Sequence, residues 1–137
     1  MRIMSLDYGD AKIGIAMTDP LCIIANGIES YKRQGEKKDI EYIATMIENS
    51  GVGTVVFGLP VNMDGSEGIR VEKTKEFAAL LKDRCPLVKI DYQDERLTTV
   101  SAERALLEAD MRRDKRKLVI DKIAATIILQ TYLERRR

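Results

Sequence analysis

The sequence predicts a mixed α/β fold in one domain over residues 1–137: a five-stranded sheet, its first three strands antiparallel and the later ones parallel through crossovers, with helices on both faces. Three observations carry this. Short β-branched runs separated by turn residues fill the start of the chain. From Ile40 onward, apolar residues recur at i, i+3, i+4 and i+7 between further short runs. At 137 residues there is room for one core and no second domain.

Residues 2–7 form a short, mostly apolar run ended by Tyr8-Gly9-Asp10, and 13–18 form a second, so the two read as a hairpin. Residues 22–31 supply a third strand. Ile40, Ile43, Ala44 and Ile47 mark the inner face of a first helix, which Gly51 and Gly53 close. A compact strand at 54–58 leads into a loop rich in Gly, Pro, Asn and Asp at 59–65. Thr74, Phe77, Ala78 and Leu81 share one face of a second helix that stops before Pro86. Val88, Ile90 and Tyr92 then alternate with Lys89 and Asp91, as in a half-exposed edge strand. A third helix is expected over 99–109, with Ala102, Ala105, Leu106 and Ala109 inward. A fourth is expected over 119–133, with Ile120, Ile123, Ala124, Ile127 and Ile128 inward. The order β-β-β-α-β-α-β-α-α is that of the ribonuclease H-like fold.

Composition narrows the chemistry. There is no histidine, which removes the Ser-His-Asp triad, every His-ligated metal site and any imidazole pH switch. Cys22 and Cys85 stand far apart without a C-x-x-C and are expected to be reduced core thiols. The first residues lack a signal-like apolar stretch, and no run approaches the roughly 18 residues that span a bilayer. A cytoplasmic protein that does not engage membranes is expected. With 23 basic and 22 acidic residues the net charge is +1, so any affinity for nucleic acid must come from local patches.

Three acids fall where elements end: Asp7 closing the first strand, Glu95 just past the last strand, and Asp121 in the last helix. Functional crevices of open α/β sheets lie beyond the carboxyl ends of the strands. Converging, partly buried carboxylates repel one another and call for a cation; with no Cys or His nearby, that cation is hard, Mg²⁺ or Mn²⁺. Each acid also has a plain structural reading. Asp7 can bond a turn backbone, Asp121 can oppose a helix dipole, and Glu95 can pair with Arg96 on the surface.

The strings Leu6-Asp7-Tyr8-Gly9-Asp10-Ala11-Lys12-Ile13-Gly14, Gly58-Leu59-Pro60-Val61-Asn62-Met63-Asp64-Gly65, Asp94-Glu95-Arg96-Leu97-Thr98-Thr99 and Asp121-Lys122-Ile123-Ala124-Ala125 strongly resemble the YqgF family, also called RuvX, over the whole chain and in order. These bacterial ribonuclease H-like proteins are described as Holliday-junction resolvases and as nucleases processing the 5′ end of precursor small-subunit ribosomal RNA. The resemblance implies a metal-dependent phosphodiesterase with Asp7, Glu95 and Asp121 as both catalytic acids and metal ligands. It also implies substrate contacts from Lys12, Asn62 and Arg96. Many relatives carry Arg where Lys12 stands, and Lys keeps the charge without the bidentate fork. Resolvases of the RuvC type take their second acid from the strand beside the first, so Asp64 is a reserve ligand; its loop suits turn chemistry equally well.

The run Arg112-Arg113-Asp114-Lys115-Arg116-Lys117 lies between the last two expected helices, directly before Asp121. Such runs are commonly solvated loops. Beside a catalytic acid, however, Arg112, Arg113, Arg116 and Lys117 are suited to replacing the counterions of a nucleic-acid backbone. Aromatics are only 5%, with no Trp, so recognition by shape and phosphate is expected over base stacking, Tyr8 and Tyr92 being the exceptions. The expected partners are structured RNA, branched DNA as the alternative, and ribosomal precursor particles. The chain acts as a monomer or a homodimer, the dimer being what a junction resolvase requires. A non-catalytic assembly factor that only binds RNA is the rival outside the enzymes.

Overall fold

The computed structural model describes residues 1–61, 65–94 and 113–136, and for 113–121 the backbone alone. In chain order the elements are β1 (Arg2–Tyr8), β2 (Lys12–Thr18), β3 (Ala25–Lys32), α1 (Glu36–Ser50), β4 (Val52–Leu59), α2 (Ile69–Arg84), β5 (Lys89–Asp94) and a final helix, α3 (Arg113–Arg136). The five strands form one sheet in the order β3-β2-β1-β4-β5. β1, β2 and β3 pair antiparallel, while β4 and β5 join β1 in parallel. This is the mixed sheet that the element order predicts, with β5 at an edge.

Alternation along β1 divides the core into two layers. Met4 and Leu6, with Ile13, Ile15, Val55 and Phe57, pack beneath Ile43 and Ile47 of α1 and Phe77 and Leu81 of α2. Ile3, with Ala16 and Val56, packs on the other face beneath Ala125, Ile128, Leu129 and Tyr132 of α3. Gly51 ends α1 in the left-handed conformation, φ 69°, and its N–H caps the Ile47 carbonyl, as a C-terminal glycine does. Among the described residues no helix is long and apolar enough to cross a membrane.

Five expectations need correcting or fall outside the structure. The last helix is already formed at Arg113, well before 119, so Arg113, Arg116 and Lys117 belong to a helix and not to a loop. Its first turns carry no apolar period, which is why periodicity finds the helix late. The buried stripe is also turned by about one residue: Ala124, Ala125, Ile128, Leu129, Tyr132 and Leu133 are buried, whereas Ile123 and Ile127 are half-buried. Third, β3 starts at Ala25, because Asp19 Oδ1 accepts the Ile23 and Ile24 N–H groups at 2.8 and 2.9 Å and folds the preceding residues into a turn. Cys22 lies in that turn, only partly buried against the edge of the core beneath α3; Cys85 is buried, as expected, and both are free thiols. The helix anticipated over 99–109 lies outside the described residues.

A buried ion pair ties β3 to α1. The Asp39 carboxylate is fully enclosed and accepts Arg33 Nε at 2.9 Å, the Tyr31 hydroxyl at 2.9 Å and the Gln34 N–H at 2.9 Å. Burial alone would raise its pKa, but the Gln34 N–H, the guanidinium and the Tyr31 hydroxyl together hold the carboxyl below its ordinary value. A depressed carboxyl contributes stability that is fully present above its unfolded pKa of about 4 and is lost as pH falls through the folded value. Urea midpoints should therefore be flat from neutral pH to about 5 and fall below about 4. Asp39→Ala, which strands the guanidinium, should cost about 3 kcal/mol at pH 7 and remove part of that acid dependence.

Candidate active site at the end of the central strand

Asp7 is the next-to-last residue of β1, half-buried, on the α3 face with Ile3 and Ser5. It pairs in register with Gly14 of β2, and it follows by one residue the Leu6–Phe57 pair that brings Gly58 of β4 alongside. Neither neighbouring strand therefore projects a side chain beside the carboxylate. One strand further out, Gly14 pairs with Ser30 and Gly58 pairs with Gln93. The row across the sheet reads Ser30, Gly14, Asp7, Gly58, Gln93, at the carboxyl ends of the three parallel strands where α/β crevices form.

The turn after Asp7 is held firmly. The Gly9 N–H donates to the Lys12 carbonyl at 3.0 Å, and a Cβ on Gly9 would stand 2.7 Å from that oxygen, so only glycine permits the approach. Arg33, anchored by Asp39, donates to the Gly9 carbonyl at 3.3 Å and lies 4.7 Å over the Tyr8 ring. Tyr8 packs in turn on Phe77, with centroids 4.7 Å apart. It is engaged in packing rather than offered as a stacking platform.

α3 reaches the same end of the sheet from above. Ser5 Oγ donates to the Ala125 carbonyl at 2.6 Å, wholly buried, and Leu133 packs in one cluster with Ile3. The helix therefore runs opposite to β1. One turn back from Ala125, about 6 Å, brings its backbone at position 121 toward the end where Asp7 stands, itself about 6 to 7 Å along the strand from Ser5. On the far side, a Cβ on Gly27 of β3 would meet Lys122 Cγ and Cε at 2.9 Å, so the lysine stem rests directly on that strand.

The other expected site residues are distributed unevenly. Glu95 directly follows Asp94, the last residue of β5, two strands away from β1. Glu95, Asn62, Asp64, Arg96 and Arg112 lie outside the described residues, as do the side chains of Asp121, Arg113, Arg116 and Lys117. Lys12 opens β2 and stands in register with Lys32 of β3, a second cation that reading the sequence did not single out. Ser30, Gly14, Gly58 and Gln93 were missed as well; only strand register brings them beside Asp7.

Among the described residues no group of three His, Cys, Asp or Glu side chains could hold a metal. Among the described residues the donors facing this end include the Asp7 carboxylate and Gln93 Oε1, a buried acceptor without a hydrogen-bond partner among those residues. An oxygen-only set with an orphaned acceptor suits a hard divalent cation and not zinc.

The family model named RuvX, described as Holliday junction resolvase, matches residues 1–135. The chain belongs to the RuvX family. A Clostridium botulinum relative named "Putative pre-16S rRNA nuclease" is 50% identical over 134 residues, covering 98% of this chain and 97% of its own. One of the same name from Clostridioides difficile is 49% identical over 133 residues, covering 97% and 94%. Among solved structures, T. thermophilus RuvC in complex with a Holliday junction substrate matches with a TM-score of 0.62 at 11% identity, covering 98% and 96%. The fowlpox virus resolvase with its Holliday junction DNA matches with a TM-score of 0.61 at 14% identity, covering 98% of each chain. At such identities the two structures speak to the fold, which is ribonuclease H-like as the element order predicts.

The Ser5 contact gives a direct test of how α3 is seated. Ser5→Ala should lower stability by about 1 kcal/mol for the lost hydrogen bond. Ser5→Leu, with no room beneath Ala125, should cost about 2 to 3 kcal/mol in urea melts.

Proposed function

We propose that this RuvX-family chain is a divalent-metal-dependent endonuclease of the cytoplasm that hydrolyses phosphodiester bonds in structured RNA at the 5′ side of precursor 16S ribosomal RNA, within precursor particles. The observation that carries the reading is Asp7, half-buried at the carboxyl end of the central strand between two glycines, in a chain 50% identical to proteins named as pre-16S rRNA nucleases. Asp7, Glu95 and Asp121 are the acids that hold Mg²⁺ or Mn²⁺, with Asp64 in reserve. A bound ion supplies an acidified water and offsets charge on the scissile phosphate.

The chain's own residues do the rest. Asp7 has a short side chain on a paired strand, so its carboxylate is held with little freedom, and the pinned turn at Gly9 keeps it so. Gly14 and Gly58 leave the flanks of Asp7 without side chains, which suits the approach of a bulky phosphodiester backbone. Lys12 and Lys32, adjacent across the β2–β3 ladder, supply positive charge for phosphate. Asn62, Arg96 and Arg112 extend that contact, and Arg113, Arg116 and Lys117 add cations from the first turns of α3.

Four-way DNA is the alternative substrate, favoured by the family model's description and by the resolvase complexes that share the fold. Incubating the protein with labelled precursor RNA and with four-way DNA, each with and without Mn²⁺, separates the readings. Metal-dependent cleavage of the RNA alone is expected. Cleavage of the junction alone, by a dimer, would transfer the assignment, and binding without cleavage of either would leave an assembly factor.

Two variants carry further expectations. Asp7→Asn keeps shape and removes one negative charge, so cleavage should fall by 10²-fold or more while metal-free stability holds or rises. A destabilised Asp7→Asn protein that still cuts at the wild-type rate would return Asp7 to a turn-anchoring role. Replacing Arg113, Arg116 and Lys117 with Ala should weaken RNA binding uniformly across sequences and lower the slope of log affinity against log salt by up to about 2 to 3. An unchanged slope would mean that these cations do not meet phosphate.

A further inference from the structure

Gln93 is a buried polar side chain whose oxygen the described residues leave unused. It is the next-to-last residue of β5, and only 9% of it is exposed. Its amide nitrogen donates to the Asp94 carbonyl at 3.3 Å, while its Oε1 is buried without a hydrogen-bond partner among the described residues. The Asp94 carbonyl can only accept, so it fixes which end of the amide turns toward it and leaves the oxygen facing the other way. A buried acceptor without a donor is costly, and natural interiors satisfy nearly all such atoms.

The strand's alternation says which way Gln93 faces. Asp91 accepts the Tyr132 hydroxyl of α3 at 2.7 Å, and the Tyr92 ring stands against Phe57 on the opposite face. Gln93 therefore shares the α3 face with Asp91. On that face it is in register with Gly58, which in turn lies beside Asp7. Between the Asp7 and Gln93 backbones there are two strand spacings, roughly 9 to 10 Å, and the strand between them carries only Gly58 at that position. That separation leaves room for an ion with its water between the two side chains.

We propose that Gln93 is a positioning residue for the divalent ion: its Oε1 accepts a hydrogen bond from a water in the shell of the ion that Asp7 holds. This rests on the metal-dependent reading given above and adds to it a contact from outside the acidic residues. An acceptor of this kind orients the bound water and raises its basicity, and losing such outer contacts commonly weakens metal binding 10- to 100-fold. It also explains why an orphaned acceptor is tolerated in the metal-free protein, since its donor arrives with the ion.

The test is Mn²⁺ binding without nucleic acid, followed by the paramagnetic signal of free Mn²⁺, on the full chain and on Gln93→Leu, Gln93→Met, Gln93→Glu and Asp7→Asn, with a metal-free melt of each. Leu and Met keep the volume and remove the oxygen. Both should bind Mn²⁺ about 10-fold more weakly while their metal-free melting temperatures hold or rise. The second apolar variant carries the test if the first does not fold. Gln93→Glu restores an oxygen and should keep or tighten Mn²⁺ binding while melting lower without metal. Unchanged Mn²⁺ affinity in Gln93→Leu and Gln93→Met, with binding lost in Asp7→Asn, would overturn the role of Gln93 and leave the metal site standing. No saturable Mn²⁺ binding by the wild type would overturn both.

Discussion

The closeness with which α3 lies on the middle of the sheet is the constraint on which the candidate site depends. A helix cannot settle on a sheet across large side chains, and here it meets a row of small ones: Ser5, Ala16 and Gly27 stand side by side in the β1–β2–β3 register. Ala125 faces them from the helix. The approach is close enough for the Ser5 hydroxyl to reach a helix carbonyl, and the Lys122 stem fills the place where a Cβ on Gly27 would be. A larger residue anywhere in that row would lift the helix and separate position 121 from the end of β1. Close packing of small residues thus does for this site what a rigid scaffold does for loop-borne chemistry elsewhere.

The opposite face holds Asp7 from below. Asp39 is buried with three donors, and the guanidinium that it fixes spans from α1 to the Gly9 carbonyl and the Tyr8 ring. A buried pair of this kind is weak as a source of net stability, because desolvation offsets most of its attraction. Its consequence here is geometric: through Arg33, the turn immediately after Asp7 is tied to α1. The two layers of the fold, one held by small apolar contacts and the other by a satisfied charge, converge on one carboxylate.

Much of this was legible in the sequence. The antiparallel start, the first two helices and the edge position of β5 all follow from periods of 2 and 3.6 residues, and Gly51 ends its helix as its position predicts. Periodicity fails where the amino-acid pattern is polar: the first described turns of α3 are rich in Arg and Lys, so apolar spacing places its start near 119 although the chain is helical from Arg113. The inner stripe of α3 was misread because Ile counts for more than Ala on a wheel, whereas at this interface Ala125 is buried and Ile127 only half-buried. Asp7 could be picked out from its place before a turn. Ser5, Lys32 and Gln93 could not, because their significance lies in which residue stands opposite on another strand, and register is a property of pairing rather than of local sequence.

The central claim is that the carboxyl end of β1 is a hard-cation site built around Asp7. The most direct measurement is anomalous diffraction at the manganese edge from crystals of the protein equilibrated with Mn²⁺. The account predicts a peak about 2 Å from an Asp7 carboxylate oxygen, on the α3 face of the sheet in the row with Gly14 and Gly58. Ordered Mn²⁺ elsewhere on the molecule, with none at Asp7, would contradict it.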